Sequence, residues 1–281
     1  MTRYHRPTTL TEALSIRAGE DVAILAGATD IYPAAANRRA WGDPTHKDVL
    51  DITAIPGLRD ITETPHGFRL GCLVTWSQVA RADLPKQFDG LRQAARQIGG
   101  VQVQNRGTIL GNLVTASPAG DGIPNLLALN ASVEVAGPDG TRMLPVADFL
   151  TGYRATALAR DEIALALHIP KMPRAISGFR KLGARHYLVI SIAMVAGVVD
   201  IDEHGRILMA RLAIGACSAT AQRLPGLEAE LRGTSLYHAD KLPEARHLDH
   251  LTPIDDIRAS GAYRRDAALR LLRDLLWELG E

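Results

Sequence analysis

Apolar and polar positions alternate along this chain in two rhythms, one helical and one extended, and the balance between them changes near residue 176. Thr9 followed by Glu12 forms a capping-box pattern ahead of Ala13, Leu14 and Ile16, which predicts a short helix. Residues 22–25 read as a strand that runs straight into Ala26-Gly27-Ala28-Thr29-Asp30. Residues 48–52 and 68–74 read as the next strands, the second after a turn at Pro65-His66-Gly67, which makes a βαβ-like opening. Amphipathic helices are predicted over 77–82 and 90–98. An apolar helix over 124–129 follows the breaker-rich stretch Ala116-Ser117-Pro118-Ala119-Gly120-Asp121-Gly122.

Gly137-Pro138-Asp139-Gly140 separates strands at 132–136 and 141–144, a hairpin signal, and 162–169 supplies a further strand ending at Pro170. Past Ile176 the texture becomes two long apolar runs, 189–201 and 207–217, divided by Asp202-Glu203-His204-Gly205-Arg206. They are expected as antiparallel strands, followed by helices at 221–231 and 264–279. In the last helix Ala267, Leu271, Leu272, Leu275 and Leu279 form one face for packing on a sheet. The pattern divides the chain into a mixed domain over 1–175 and a compact α+β domain over 176–281.

A chain of 281 residues that is 46% hydrophobic supports two such domains, at about 100–200 residues each. Lys and Arg total 32 against 31 Asp and Glu, scattered along the chain, so the net charge of +1 argues against a nucleic-acid partner. No stretch is apolar for long enough to span a membrane and the start lacks an apolar leader, which makes the cytoplasm the default location. The two cysteines, Cys72 and Cys217, cannot supply the four thiolates of an iron–sulfur cluster and read as buried small hydrophobes. The nine histidines lack metal-binding spacing; His247 and His250, three apart, read as surface residues near Asp249, so no metal ligand is assigned.

The chemistry concentrates in two glycine segments. Main-chain N–H groups reach a charged pyrophosphate only where side chains do not obstruct them, and Gly27 and Gly111 meet that need. Thr29 can donate its hydroxyl to a phosphate oxygen, and Asp30 can cap or orient the backbone that follows. The second segment, Gln104-Asn105-Arg106-Gly107-Thr108-Ile109-Leu110-Gly111-Asn112, combines an arginine, two glycines, a hydroxyl and amides within nine residues. Neither segment has the spacing of a nicotinamide fingerprint or of a phosphoryl-transfer loop.

Five segments in order give this chain a resemblance, nearly end to end, to the FAD-binding medium subunits of the molybdenum hydroxylases, the xanthine dehydrogenase and carbon monoxide dehydrogenase flavoprotein type. The first is Ala26-Gly27-Ala28-Thr29-Asp30 with Pro33, and the second Asn105-Arg106-Gly107-Thr108-Ile109-Leu110-Gly111-Asn112. Ala116-Ser117-Pro118-Ala119-Gly120-Asp121, Phe179-Arg180-Lys181-Leu182-Gly183-Ala184-Arg185 and the tail Tyr263-Arg264 complete the set. The resemblance implies an α+β fold: a two-lobed FAD-binding domain of the vanillyl-alcohol-oxidase (PCMH) type, then a C-terminal domain of a small antiparallel sheet with helices.

It also implies FAD as cofactor, with Ala26, Gly27, Ala28, Thr29 and Asp30, and Thr108, Ile109, Leu110, Gly111 and Asn112, facing the pyrophosphate and ribityl chain. Ser117 and Asp121 would lie near the flavin or the adenosine sugar, and Lys181 would reach the polar edge of the flavin. No catalytic residue is implied. Electrons would arrive from two [2Fe–2S] clusters on a small subunit, fed by a large subunit carrying molybdopterin, and leave to NAD, oxygen or a carrier.

Ala28 and Leu110 stand where the family has glycine. They motivate an alternative, a subunit with weakened or lost FAD binding that serves as an assembly component; a self-sufficient flavin oxidase is a third reading.

Overall fold

In the computed structural model residues 3–43, 45 and 47–281 are described. The chain opens with β1 (Tyr4–His5), α1 (Leu10–Gly19), β2 (Val22–Leu25), α2 (Ile31–Ala40) and β3 (Asp48–Asp51). β1 and β2 flank β3 and run parallel to it, so each connection needs a crossover helix. Half of the expected capping box is present: the Thr9 hydroxyl accepts the N–H of Glu12, but the Glu12 carboxylate accepts the N–H of Thr8 and not that of Thr9. α2 has no sequence signal of its own, since none of its residues is buried.

The next unit contains β4 (Ile61–Glu63), β5 (Gly67–Gly71), α3 (Trp76–Arg81), α4 (Asp89–Gln97), α5 (Val101–Arg106), α6 (Ile109–Thr115) and α7 (Gly122–Ala128). It closes with β6 (Ser132–Gly137), β7 (Gly140–Pro145), α8 (Val146–Phe149), β8 (Leu150–Gly152), β9 (Ala155–Thr156) and β10 (Ile163–Pro170). β4, β5, β10, β6 and β7 form, in that order, one antiparallel sheet. The predicted β6–β7 hairpin is present, with Gly140 at φ 113. The second glycine segment is not an extended loop: it is the end of α5, a turn at Gly107-Thr108 and the first turn of α6. Thr108 makes this possible because its hydroxyl caps α6 by accepting the N–H of Gly111 at 3.1 Å, while Ile109, Leu110 and Leu113 turn into the core.

The last unit is the antiparallel sheet β11 (Ile176–Leu182), β12 (Ala193–Ile201), β13 (Ile207–Gly215) and β14 (Gln222–Arg223), with α9 (Pro225–Leu231) and α10 (Gly261–Gly280). The strand expected from residue 189 starts only at Ala193, because Val189 and Ser191 are committed to contacts with Lys181 and Asp121. The helix expected from residue 221 starts at Pro225. Gln222 and Arg223 pair with β13 instead, and proline suits a first helical position. α10 buries Leu272, Leu275 and Leu276 against the sheet, and the other expected face residues flank them.

Arg264, buried near the start of α10, donates to the carbonyls of Ile192 at 2.6 Å and Ala216 at 3.2 Å and fixes both strand ends. Burial pushes the thiols of Cys72 and Cys217 up to about 12 and about 11, as inert core residues. His247, expected at the surface, is buried: its Nδ1 accepts the N–H of Glu244, whereas His250 is exposed as expected. No helix among the described residues is long and apolar enough to cross a membrane.

Candidate functional site

The two glycine segments meet. A Cβ on Gly27 would stand 2.2 Å from the carbonyl oxygen of Arg106 and 3.0 Å from Cα of Gly107, so only glycine allows β2 to end against α5. Ala28 then turns the chain at φ 62, a left-handed conformation that costs an L-residue about 1–2 kcal/mol. Thr29 follows with its hydroxyl over Gly107, 3.4 Å from where a Cβ would lie. The backbone N–H groups of Ala28, Thr29, Asp30 and Ile31 donate to no described residue. They form a run of open donors at the N-terminus of α2, where the helix dipole favours an anion.

Asp30 does not cap α2 as expected. Its carboxylate accepts the Thr115 hydroxyl at 3.4 Å and lies 3.8 Å from the guanidinium of Arg154, at the turn between β8 and β9. The first loop is thereby tied to α6 and to a hairpin far along the chain. The second wall is equally fixed. Trp76 N–H donates to the Gly107 carbonyl at 3.2 Å, and Ile109 N–H to that of Val74 at 3.1 Å. Leu110 is 2% exposed and packs into the core cluster, and it also borders the cleft.

Between these walls runs a cleft of about 770 Å³, which falls within the range of about 300–1,000 Å³ typical of ligand sites. Every expected site residue lines it except Ile109, which faces the core, and Lys181. Lys181 sits behind the wall with a nearly buried side chain. Its ammonium donates to Asp121 Oδ2 at 2.6 Å and to the carbonyl of Val189 at 3.3 Å, and Ser191 Oγ donates to Asp121 Oδ1 at 2.6 Å. Burial pushes the Asp121 carboxyl up, and the Lys181 ammonium and the Ser191 hydroxyl pull it back down. Asn112 is also structural in part, because its Oδ1 accepts the N–H of Gly122 at 3.3 Å.

Sequence reasoning missed the far side of the cleft, which Gly99, Gly100, Val103, Leu188 and Ile190 line, and also Arg154. The adjacent Gly99-Gly100 pair after an amphipathic helix was the one readable signal there. His5, Glu20 and Asp48 come within metal-binding distance of one another, but the Arg3 guanidinium already bonds both carboxylates, at 2.9 Å to Asp48 and 3.0 Å to Glu20.

The cleft combines features a dinucleotide flavin needs: open backbone donors, small residues, hydroxyls and apolar side chains line it together. Residues 1–172 match a family model described as the FAD binding domain in molybdopterin dehydrogenase, and residues 177–279 one described as the CO dehydrogenase flavoprotein C-terminal domain. The chain is similar to the nicotine 6-hydroxylase medium subunit of Paenarthrobacter nicotinovorans, at 32% identity over 99% of this chain and 97% of that one. It is similar to the nicotinate dehydrogenase FAD-subunit of Eubacterium barkeri, at 34% over 72% of this chain and 70% of the other. Its fold superposes on a chain of carbon monoxide dehydrogenase from Hydrogenophaga pseudoflava with a TM-score of 0.87 and 25% identity, covering 98% and 96% of the two chains.

Proposed function

Because the chain belongs to the FAD-binding medium-subunit family of the molybdopterin dehydrogenases, oxidoreductases with FAD as cofactor, we propose that this cleft holds FAD between an electron-donating partner chain and an electron acceptor. The observation that carries the reading is the convergence of Gly27 on Arg106-Gly107 beside the open N–H groups of residues 28–31. Those donors and the α2 N-terminus receive the pyrophosphate, with Thr29, Thr108, Gly111 and Asn112 around it. Ser117 and Asp121 border the sugar and ribityl region. Ile98, Gly99, Gly100 and Val103, facing Leu188 and Ile190, form the apolar slot for a flat ring.

Lys181 acts through Asp121 and Val189, holding the 188–191 segment against the slot. The bound flavin supplies the conversion between one-electron and two-electron transfer. The chain's own part is to position the ring, keep it out of bulk water and surround it with fixed donors. The partners in this reading are a small subunit with [2Fe–2S] clusters and a molybdopterin large subunit, and the acceptor is NAD or oxygen. Residues 1–175 would form the FAD-binding domain and 176–281 the C-terminal one. Ala28 keeps the loop's turn and Leu110, at the cleft's border, is almost wholly buried in the core, so neither departure favours the assembly-only alternative.

The test uses the assembled complex, comparing wild type with Gly27→Ala, whose Cβ separates the two loops. The variant complex is expected to lack flavin and to lose acceptor reduction, while its iron–sulfur centres are still reduced by the molybdenum-site substrate. Acceptor reduction at the wild-type rate without flavin would refute the proposal.

A further inference from the structure

The charges that border the cleft are poorly matched to an anion. Two carboxylates line it, those of Asp30 and Asp121, and among the described residues one lining side chain is cationic, Arg154. Asp121 is compensated from behind by Lys181, at 2.6 Å. Asp30 belongs to the run of open N–H groups at residues 28–31, so its own charge works against the donors of that run. Arg154 is held near it at a conformational cost. It takes φ 50 in the turn between β8 and β9, a left-handed backbone that arginine seldom adopts, and its N–H donates at 3.1 Å to the carbonyl of Ala116, itself left-handed at φ 47 where α6 ends. Strained residues of this kind persist where their surroundings over-determine them, and they gather at ligand clamps. The result is a half-exposed guanidinium at the cleft, 3.8 Å from Asp30 Oδ2. That distance is too long for a hydrogen bond, and the Thr115 hydroxyl donates to the same oxygen at 3.4 Å. The guanidinium therefore has no hydrogen-bond partner among the described residues.

Resting on the reading of the cleft as an FAD site, we propose that Arg154 is the pyrophosphate clamp: its guanidinium binds phosphate oxygens alongside the N–H groups of residues 28–31, and Asp30 is the carboxylate that keeps it ready beside them. A pyrophosphate diester is a dianion, whereas the N-terminus of α2 offers about half of one positive charge, which the Asp30 carboxylate more than cancels. A full cation close by tips the balance toward binding, and Arg154 is the one that the described lining supplies. A planar guanidinium suits the task, because it presents paired N–H groups to two phosphate oxygens and an ammonium does not. The β8–β9 hairpin thereby becomes part of the cofactor site, although it lies far along the chain from the first glycine segment.

The flavin-free full chain is titrated with FAD and with riboflavin, which has the ring and the ribityl chain but no phosphate, for wild type, Arg154→Gln and Arg154→Lys. Arg154→Gln is expected to bind FAD roughly tenfold to hundredfold more weakly, the loss of one charged hydrogen-bonding group, with riboflavin affinity unchanged. The flavin-free variant should melt within about 2 °C of wild type, since a half-exposed side chain is exchanged. Arg154→Lys, which keeps the charge and loses the fork, should fall between the two. Raising the salt from about 0.05 M to about 0.5 M should weaken FAD binding to wild type more than to Arg154→Gln, because screening has one cation fewer to act on. Unchanged FAD affinity in Arg154→Gln, an equal salt response in both proteins, or equal losses for FAD and riboflavin overturns the proposal while leaving the FAD site standing. Where riboflavin binds too weakly to measure, the salt response decides. A wild-type chain that binds no FAD overturns the reading of the cleft itself, and this proposal with it.

Discussion

Ala28 offers a sensitive test of the first loop. Its φ of 62 is held from both sides, by Gly27 wedged against Arg106 and by Asp30 tied to Thr115 and Arg154. Replacing Ala28 by glycine removes a left-handed penalty of about 1–2 kcal/mol. The same change frees the unfolded chain, which returns about 0.4–1 kcal/mol. The difference is a net stabilisation of roughly 0.5–1 kcal/mol, or a rise of about 1–3 °C in Tm for a protein of this size. Ala28→Val should act in the opposite direction, because a β-branched residue fits a left-handed position worse still. Differential scanning fluorimetry of the three proteins, with and without FAD, measures both effects. A lower Tm for Ala28→Gly, or a neutral Ala28→Val, would refute the left-handed turn and with it the loop geometry.

Leu110→Gly restores a family glycine yet should destabilise the chain by at least the roughly 2–5 kcal/mol of a buried Leu→Ala change, as read from urea midpoints; tighter FAD binding with unchanged stability would contradict the inward side chain. Lys181→Met leaves the buried Asp121 carboxylate without its cation and should cost about 3–5 kcal/mol, with most of it recovered in the Asp121→Leu/Lys181→Met double variant; additive losses would show that the pair does not couple. Asp256 is lowered to about 2, first by the Arg258 N–H and then by the guanidinium groups of Arg258 and Arg264. Its folded value lies below the ordinary carboxylate value of 3.8, so its contribution is complete above that value and fades as pH falls toward 2. Glu230, lowered to about 2 chiefly by Arg246, follows the same sign, so urea midpoints should drop as pH falls from about 5 to about 2, and a flat profile would contradict both.

Much of the strand framework was legible because alternation and turn chemistry act locally. The 132–144 hairpin and the strand ending at Pro170 follow from a Gly-Pro-Asp-Gly turn and from proline's missing donor. α2 was illegible for the opposite reason: Tyr-Pro-Ala-Ala-Ala-Asn-Arg-Arg carries no buried stripe, so nothing periodic marks it. α6 was hidden by its glycine, although the Thr108 cap explains why the backbone coils there. The near wall of the cleft could be read from two short segments. Leu188 and Ile190 could not, because only the approach of β11 to Asp121, fixed by Lys181, brings their segment to the cleft, and Arg154 could not because its hairpin is held there by the carbonyl of Ala116 and the carboxylate of Asp30.

The most direct measurement is titration of the flavin-free chain with FAD, followed by absorbance and by thermal unfolding. One FAD per chain, with a Tm that rises with FAD concentration and a Gly27→Ala variant that shows neither effect, is the expected result. A purified protein without flavin bands, to which added FAD neither binds nor gives any thermal protection, would contradict the assignment of the cleft.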